Sequence, residues 1–205
     1  MTLLAEQIEK DVRDTLAEGT DIYQKVQSIT LNALTKHDLD LDNIQRVVEA
    51  VLTGMREGLG NQYQPAKDAF RQSVTAIDDA LVKTAQASKL AIEEAASRLG
   101  EFSQHDLDQA TEQIKSLENI FLETLENVTR GSETLFDVGG DFIKHARQNG
   151  TAVGEQVGIA LESMNKFRRE GQQAFLSEVS ATTSIMAKIG SGILAGIAES
   201  LEHKN

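Results

Sequence analysis

The chain predicts an all-α bundle of long antiparallel amphipathic helices with no sheet. Three features carry this expectation: apolar residues recur at helical spacing along most of the 205 residues, Pro65 is the only proline, and nowhere does polarity alternate with period two for more than a few residues. An average chain of this length would hold about ten prolines. Aromatics make up 4% of the sequence, too few for the pleated faces of a β-sandwich, whose turns also call for proline. The apolar 40% and charged 25% are those of a chain that folds, and the length allows one domain or two small ones.

The first helix is expected over about 3–35, from Leu4, Ile8, Val12, Leu16, Ile22, Val26, Ile29 and Ala33. Gly19 is its weak point, costing about 1 kcal/mol relative to Ala if the helix runs through it. A second, over 42–59, follows from Ile44, Val47, Val48, Val51, Leu52, Met55 and Leu59, with Gly58 and Gly60 suited to close its last turn. Pro65 then stands where a helix start tolerates it, because its missing N–H would be unpaired in a first turn anyway.

The third helix, over 65–99, buries Ala66, Phe70, Val74, Ile77, Leu81, Ala85, Ser88, Ile92, Ala96 and Leu99. Their spacing repeats every eleven residues, about 3.67 per turn, which favours nearly straight packing over a left-handed coil. Lys67, Arg71, Asp78, Asp79, Lys83, Glu93, Glu94 and Arg98 are expected on its solvated face. Gly100 then reads as a stop and Ser103 as an N-cap with Asp106 three residues on, while Phe102 staples onto Leu107. So short a connection makes a hairpin with the fourth helix, over 104–130, whose stripe is Leu107, Ala110, Ile114, Leu117, Phe121, Leu125 and Val128.

Beyond residue 130 the helical phasing continues but is interrupted by glycines at 131, 139, 140, 150, 154, 158 and 171, each a helix break or a point of close packing. Residues 1–130 carry 23 acids against 13 bases, whereas 131–205 carry 9 against 7 and hold 10 of the 15 glycines. The chain therefore divides into an acidic helical unit and a glycine-richer one packing on it or on a partner, unless both form one continuous domain. Acid-before-base pairs four apart, such as Glu6/Lys10, Glu9/Arg13, Asp21/Lys25 and Asp79/Lys83, support the helical reading by about 0.2–0.5 kcal/mol each.

The net charge of −12 excludes a nucleic-acid surface, which needs clustered Lys and Arg. Without cysteine there is no disulfide framework, cysteine nucleophile or thiolate zinc site. Residues 1–6 carry neither a basic leader nor an apolar core, so no secretory signal and a cytoplasmic location are expected.

Asp38, Asp40, Asp42 and Glu49 stand at positions 1, 3, 5 and 12 of a calcium loop, but Asn43 replaces the required glycine and Glu49 falls inside a helix. The competing reading makes Asp40 or Asp42 an N-cap. His37, His105, His145 and His203 share no metal-ligand spacing, and Gly190, Gly192 and Gly196 follow no strand that would make a nucleotide loop. No nucleophile elbow, phosphate loop or Glu-x-x-His pair occurs, so no catalytic, cofactor or metal residue is assigned and a non-enzymatic role is expected.

The most distinctive segment runs from Ile185 to Ala198, apolar around nearly its whole circumference with Lys188 its only charge. It is shorter than the roughly 20 residues a membrane-spanning helix needs. Three readings follow: a buried helix, a close contact between copies through Gly192 and Gly196, or a segment lying in a lipid or polymer interface. The contact residues expected here are Ile185, Ile189, Gly192, Ile193, Leu194, Gly196 and Ile197.

An acidic chain of this size without cysteine and with one proline, bearing stretches such as Gln172-Gln173-Ala174-Phe175-Leu176-Ser177-Glu178-Val179, resembles the bacterial phasins. That resemblance lies in composition and texture. It implies amphipathic helices that coat polyhydroxyalkanoate granules and oligomerise. The expected function is accordingly a non-enzymatic, self-associating helical protein on an apolar granule or lipid surface, a neutral surface suiting its acid-rich polar faces better than an anionic one. The alternative is a soluble oligomeric scaffold or adaptor whose C-terminal segment is internal.

Overall fold

In the computed structural model, which describes residues 2–36, 39–59, 63–97, 104–130, 133–171, 190, 192–195 and 198, every element is helical and no strand occurs among those residues. The order is α1 (Thr2–Glu18), α2 (Ile22–Thr35), α3 (Leu41–Gly58), α4 (Tyr63–Ser97), α5 (Gln104–Thr129), α6 (Glu133–Asn149) and α7 (Ala152–Gly171). None of these helices is long and apolar enough to cross a membrane.

The expected helix over 3–35 is two helices. Gly19 adopts φ +71° and Asp21 φ +54°, both left-handed, and the Gly19 N–H closes the last turn of α1 on the Thr15 carbonyl at 3.1 Å. Glycine takes that conformation at little cost. The sequence marks the place: Leu16 and Ile22 are six apart, which is out of phase with one helical stripe.

At the start of α3, Asp40 is the N-cap. Its carboxylate accepts hydrogen bonds from the Asn43 backbone N–H and side-chain amide, both at 2.8 Å. Gly54 and Gly58 of α3 face α1 one turn apart. A Cβ on Gly54 would lie 2.5 Å from the Glu9 carbonyl oxygen, and one on Gly58 would lie 3.1 Å from the Arg13 Cα, so the two backbones touch and the helices run parallel. Gly58 is thus a packing residue within the last turn, where the sequence suggested a terminator. The ion pair between Arg13 and Glu57 spans the same contact at 2.5 Å. Lys10 pairs with Asp14 and Lys25 with Glu18, in place of the acid-before-base pairings expected for them.

Pro65 lies in the first turn of α4, where its missing N–H leaves no helical bond unmade. This helix is the centre of the fold, contacting α2, α3, α5, α6 and α7. Phe70, Val74, Ile77, Leu81 and Ala85 of the eleven-residue stripe are buried. A second stripe beside it, Ala69, Ser73, Ala76, Ala80, Thr84, Ala87 and Ala91, is buried too, and its small side chains admit neighbouring helices on another face. Ser73 and Thr84 donate to the carbonyls of Ala69 and Ala80 at 2.8 and 3.0 Å, so their hydroxyls enter the core without an unmet hydrogen bond.

Three bridges fix the direction of α7 on α4: Asp78 meets Ala152 and Val153, Gln86 meets Gln156, and Glu93 meets Ser163, so these helices run parallel. On α5 the order is reversed, Glu118 meeting Thr151 and Thr111 lying against Met164, so α5 is antiparallel to α7 and to α4. Gly100, Phe102 and Ser103, the expected elements of the hairpin connection, lie outside the described residues. The buried residues of α6 and α7, among them Val138, Ile143, Val153 and Ala160, join the same core as those of α1–α5.

Candidate functional site

Of the expected contact residues, three are described. Leu194 is fully buried, Ile193 is half-buried and Gly192 is exposed; Ile185, Ile189, Gly196 and Ile197 lie outside the described residues. Gly190, Leu194 and Ala198, at helical spacing of four, all face inward, while Gly192 and Ala195 face out. A Cβ on Gly190 would come within 3.2 Å of Leu39 Cδ1 and 3.8 Å of Ala91 Cβ, and Gly190, Leu39, Ala91 and Ile114 line a cavity of about 20 Å³. Burying a leucine side chain contributes roughly 1.5–3 kcal/mol, so one face of this segment is spent on holding the chain to its own bundle.

The densest polar cluster sits elsewhere, at the start of α7. Gly150 ends α6 at φ +82°, its N–H on the Ala146 carbonyl at 2.7 Å, and Thr151 caps α7 by accepting from the Gly154 N–H at 2.9 Å. The Asp78 carboxylate accepts from the Ala152 and Val153 N–H groups, each at 2.9 Å. Glu118 accepts from the Thr151 N–H at 3.0 Å and its hydroxyl at 2.7 Å. Gly154 lies so close to the Glu118 carboxylate that a Cβ would collide with it.

Asp78, expected on the solvated face of its helix, is therefore a correction. It is 7% exposed and binds a helix that lies 74 residues away in sequence. Burial pushes its carboxyl above the usual range, against the pull of the Val153 and Ala152 N–H groups, and the nearby charges of Asp79 and Glu118 push the same way. The signal available in the sequence was Thr151-Ala152-Val153-Gly154, a capping residue followed by a small one, but nothing local could assign Asp78 to it. The Ala152, Val153 and Gly154 N–H groups that open α7 are taken by Asp78 and Thr151, and the Thr151 N–H by Glu118, so this helix start has no donor left for an anion.

Along the rest of the α4–α7 seam, Gln86 Nε2 donates to Gln156 Oε1 at 3.4 Å, and Glu93 accepts from both Lys89 and Ser163 at 2.8 and 3.0 Å. Burial pushes the Glu93 carboxyl up, but these two donors hold it below its usual value. Leu90 is one turn from both Gln86 and Glu93, and Ile159 is one turn from both Gln156 and Ser163. The two therefore sit at the same level of the seam between its polar bridges, and they are 45% and 50% exposed.

Among the described residues no three His, Asp or Glu side chains are grouped to hold a metal ion. Asp40 is occupied as a helix cap, Asp38 lies outside the described residues, and His145 is exposed on α6 beside Asn149.

No curated protein and no solved structure matches this chain. A family model does, over residues 2–203, and the chain belongs to that family, described as a family of unknown function (DUF6781).

Proposed function

We propose that this protein is a non-enzymatic helical scaffold that self-associates through the α4–α7 seam. The observation that carries the reading is the paired exposure of Leu90 and Ile159, two large apolar side chains at one level of a seam that is otherwise bridged by polar groups. Covering both in a second copy would remove their apolar surface from water, and such association is driven chiefly by that term. The inward turn of Gly190, Leu194 and Ala198 favours the scaffold over a surface coat, because that face of the C-terminal segment is already covered within the chain. The hydrogen bonds of Asp78 and Glu118 to the start of α7 support a structural role for both acids. Light scattering on the purified chain tests the reading. A defined oligomer is expected, and a monodisperse monomer at micromolar concentration overturns it.

A phasin-like coat on a neutral apolar surface is the second reading, and the exposure of Phe136 at 57% favours it, since that side chain stands on α6 away from the seam. Co-sedimentation of the full chain with polyhydroxyalkanoate granules or neutral liposomes is its test. Protein left entirely in the supernatant removes it.

A further inference from the structure

Between α4 and α6 lies a groove of about 310 Å³. Its floor is apolar: Phe70 and Val138 are buried, and Phe142 is backed edge-on by Phe121 at a ring separation of 6.1 Å. Its rim carries Lys67 and Arg71, one turn apart on α4, with Asp141 and His145 across from them on α6. Among the described residues neither Lys67 nor Arg71 makes an ion pair. Two adjacent cations facing one groove stand out in a chain of net charge −12. Two like charges four apart on a helix repel by a few tenths of a kcal/mol, and Asp141, on the same rim, makes no ion pair with either of them.

From this juxtaposition we propose that the groove binds a medium-chain carboxylate, its head group on Lys67 and Arg71 and its alkyl chain on Phe70, Val138 and Phe142. The volume is at the small end of those that hold small molecules, which are typically about 300–1,000 Å³, apolar, and furnished with a few convergent polar groups. Arginine presents a planar fork that a carboxylate engages with two parallel hydrogen bonds, and lysine adds a point charge. A carboxylate without a tail leaves the floor uncovered, and a tail without a charge leaves the cations unmet, so the site selects for both together. This inference does not depend on self-association.

Calorimetric titration of the full chain with decanoate below its micellar concentration tests it, with acetate and decanol as the tailless and uncharged controls. One saturable site is expected for decanoate, with at least tenfold weaker binding of each control. The double variant Lys67→Glu, Arg71→Glu is expected to weaken decanoate at least tenfold while leaving helical circular dichroism unchanged. Arg71→Gln, a milder change at an exposed position, is expected to weaken it several-fold and serves if the double variant does not fold. Absence of a saturable site, decanol binding as tightly as decanoate, or full affinity in the folded charge variants overturns the proposal.

Discussion

Asp78 and Asp79 are neighbours on α4, yet the first closes the start of α7 while the second accepts a hydrogen bond from Tyr23 of α2 at 2.5 Å. One pair of consecutive carboxylates thus joins the central helix to partners before and after it in the chain. Consecutive positions on a helix point about 100° apart, which is what sends the two groups to different neighbours.

Asp78→Ala would leave the Ala152 and Val153 N–H groups without their partner, the second of them buried. A buried donor left unmet costs about 1–3 kcal/mol, so a loss of about that size is expected in urea unfolding, with the midpoint lowered. Asp78→Asn retains one acceptor and should lose less. The pH dependence has a definite sign. Because the folded-state carboxyl titrates above its ordinary 3.8, Asp78 contributes stability that is complete below that value and declines as pH rises through its raised value. The stability gap between the wild type and Asp78→Asn should therefore narrow from pH 3.5 upward. A gap that widens over this range would be at odds with the assignment.

Tyr23 gives the alkaline counterpart. Burial first, and then the hydrogen bond to Asp79, push its phenol from 10 up to about 12. A raised folded-state value means the contribution is whole below pH 10 and is lost as pH climbs through about 12. Spectrophotometric titration should resolve one tyrosine ionising late, and Tyr23→Phe should remove that step and lower stability by about 1 kcal/mol. Retention of the late step in Tyr23→Phe would assign it to the other tyrosine, Tyr63.

How much of this was legible differs from helix to helix for physical reasons. The apolar stripes of α3, α4 and α5 are long and regular, and they place the core directly. The α1–α2 break shows only as a slip of phase between Leu16 and Ile22, which a tolerant reading bridges. The second buried stripe of α4 is made of Ala, Ser and Thr, residues equally at home on a surface, so only the packed bundle reveals its role. Asp78 is the extreme case. Its burial depends on backbone N–H groups some 74 positions away, and no local pattern encodes such a partner. Leu90 and Ile159 become a pair only through the parallel register of α4 and α7, which the sequence does not contain.

Two glycines on helices make opposite predictions. Gly54→Ala puts a methyl 2.5 Å from the Glu9 carbonyl oxygen, a backbone atom that cannot swing aside, so α1 must move off α3. Overpacking of this kind costs about 1–3 kcal/mol. Gly140, on α6, has nothing within 4 Å of where a Cβ would stand, and its φ is not left-handed. Gly140→Ala should stabilise by about 0.5–1 kcal/mol, through the entropy glycine loses on entering a helix. Thermal melts of the two variants should move in opposite directions, by about 2–4 °C per kcal/mol for a chain of this size. Equal shifts would mean that the α1–α3 contact is looser than described.

Leu90→Asp combined with Ile159→Asp addresses the seam itself. Both side chains are half exposed in the single chain, so charging them removes little internal packing and the helical signal should persist. In an oligomer built on the seam, the same change would place two carboxylates per copy in an apolar contact, and uncompensated charge there is strongly unfavourable. Light scattering is expected to give a lower mass for the double variant than for the wild type at equal concentration. Leu90→Met, which preserves apolar character, should keep the wild-type mass. An oligomer that survives both aspartates at full mass would move the contact off α4 and α7, to the outward face that carries Gly192 and Ala195.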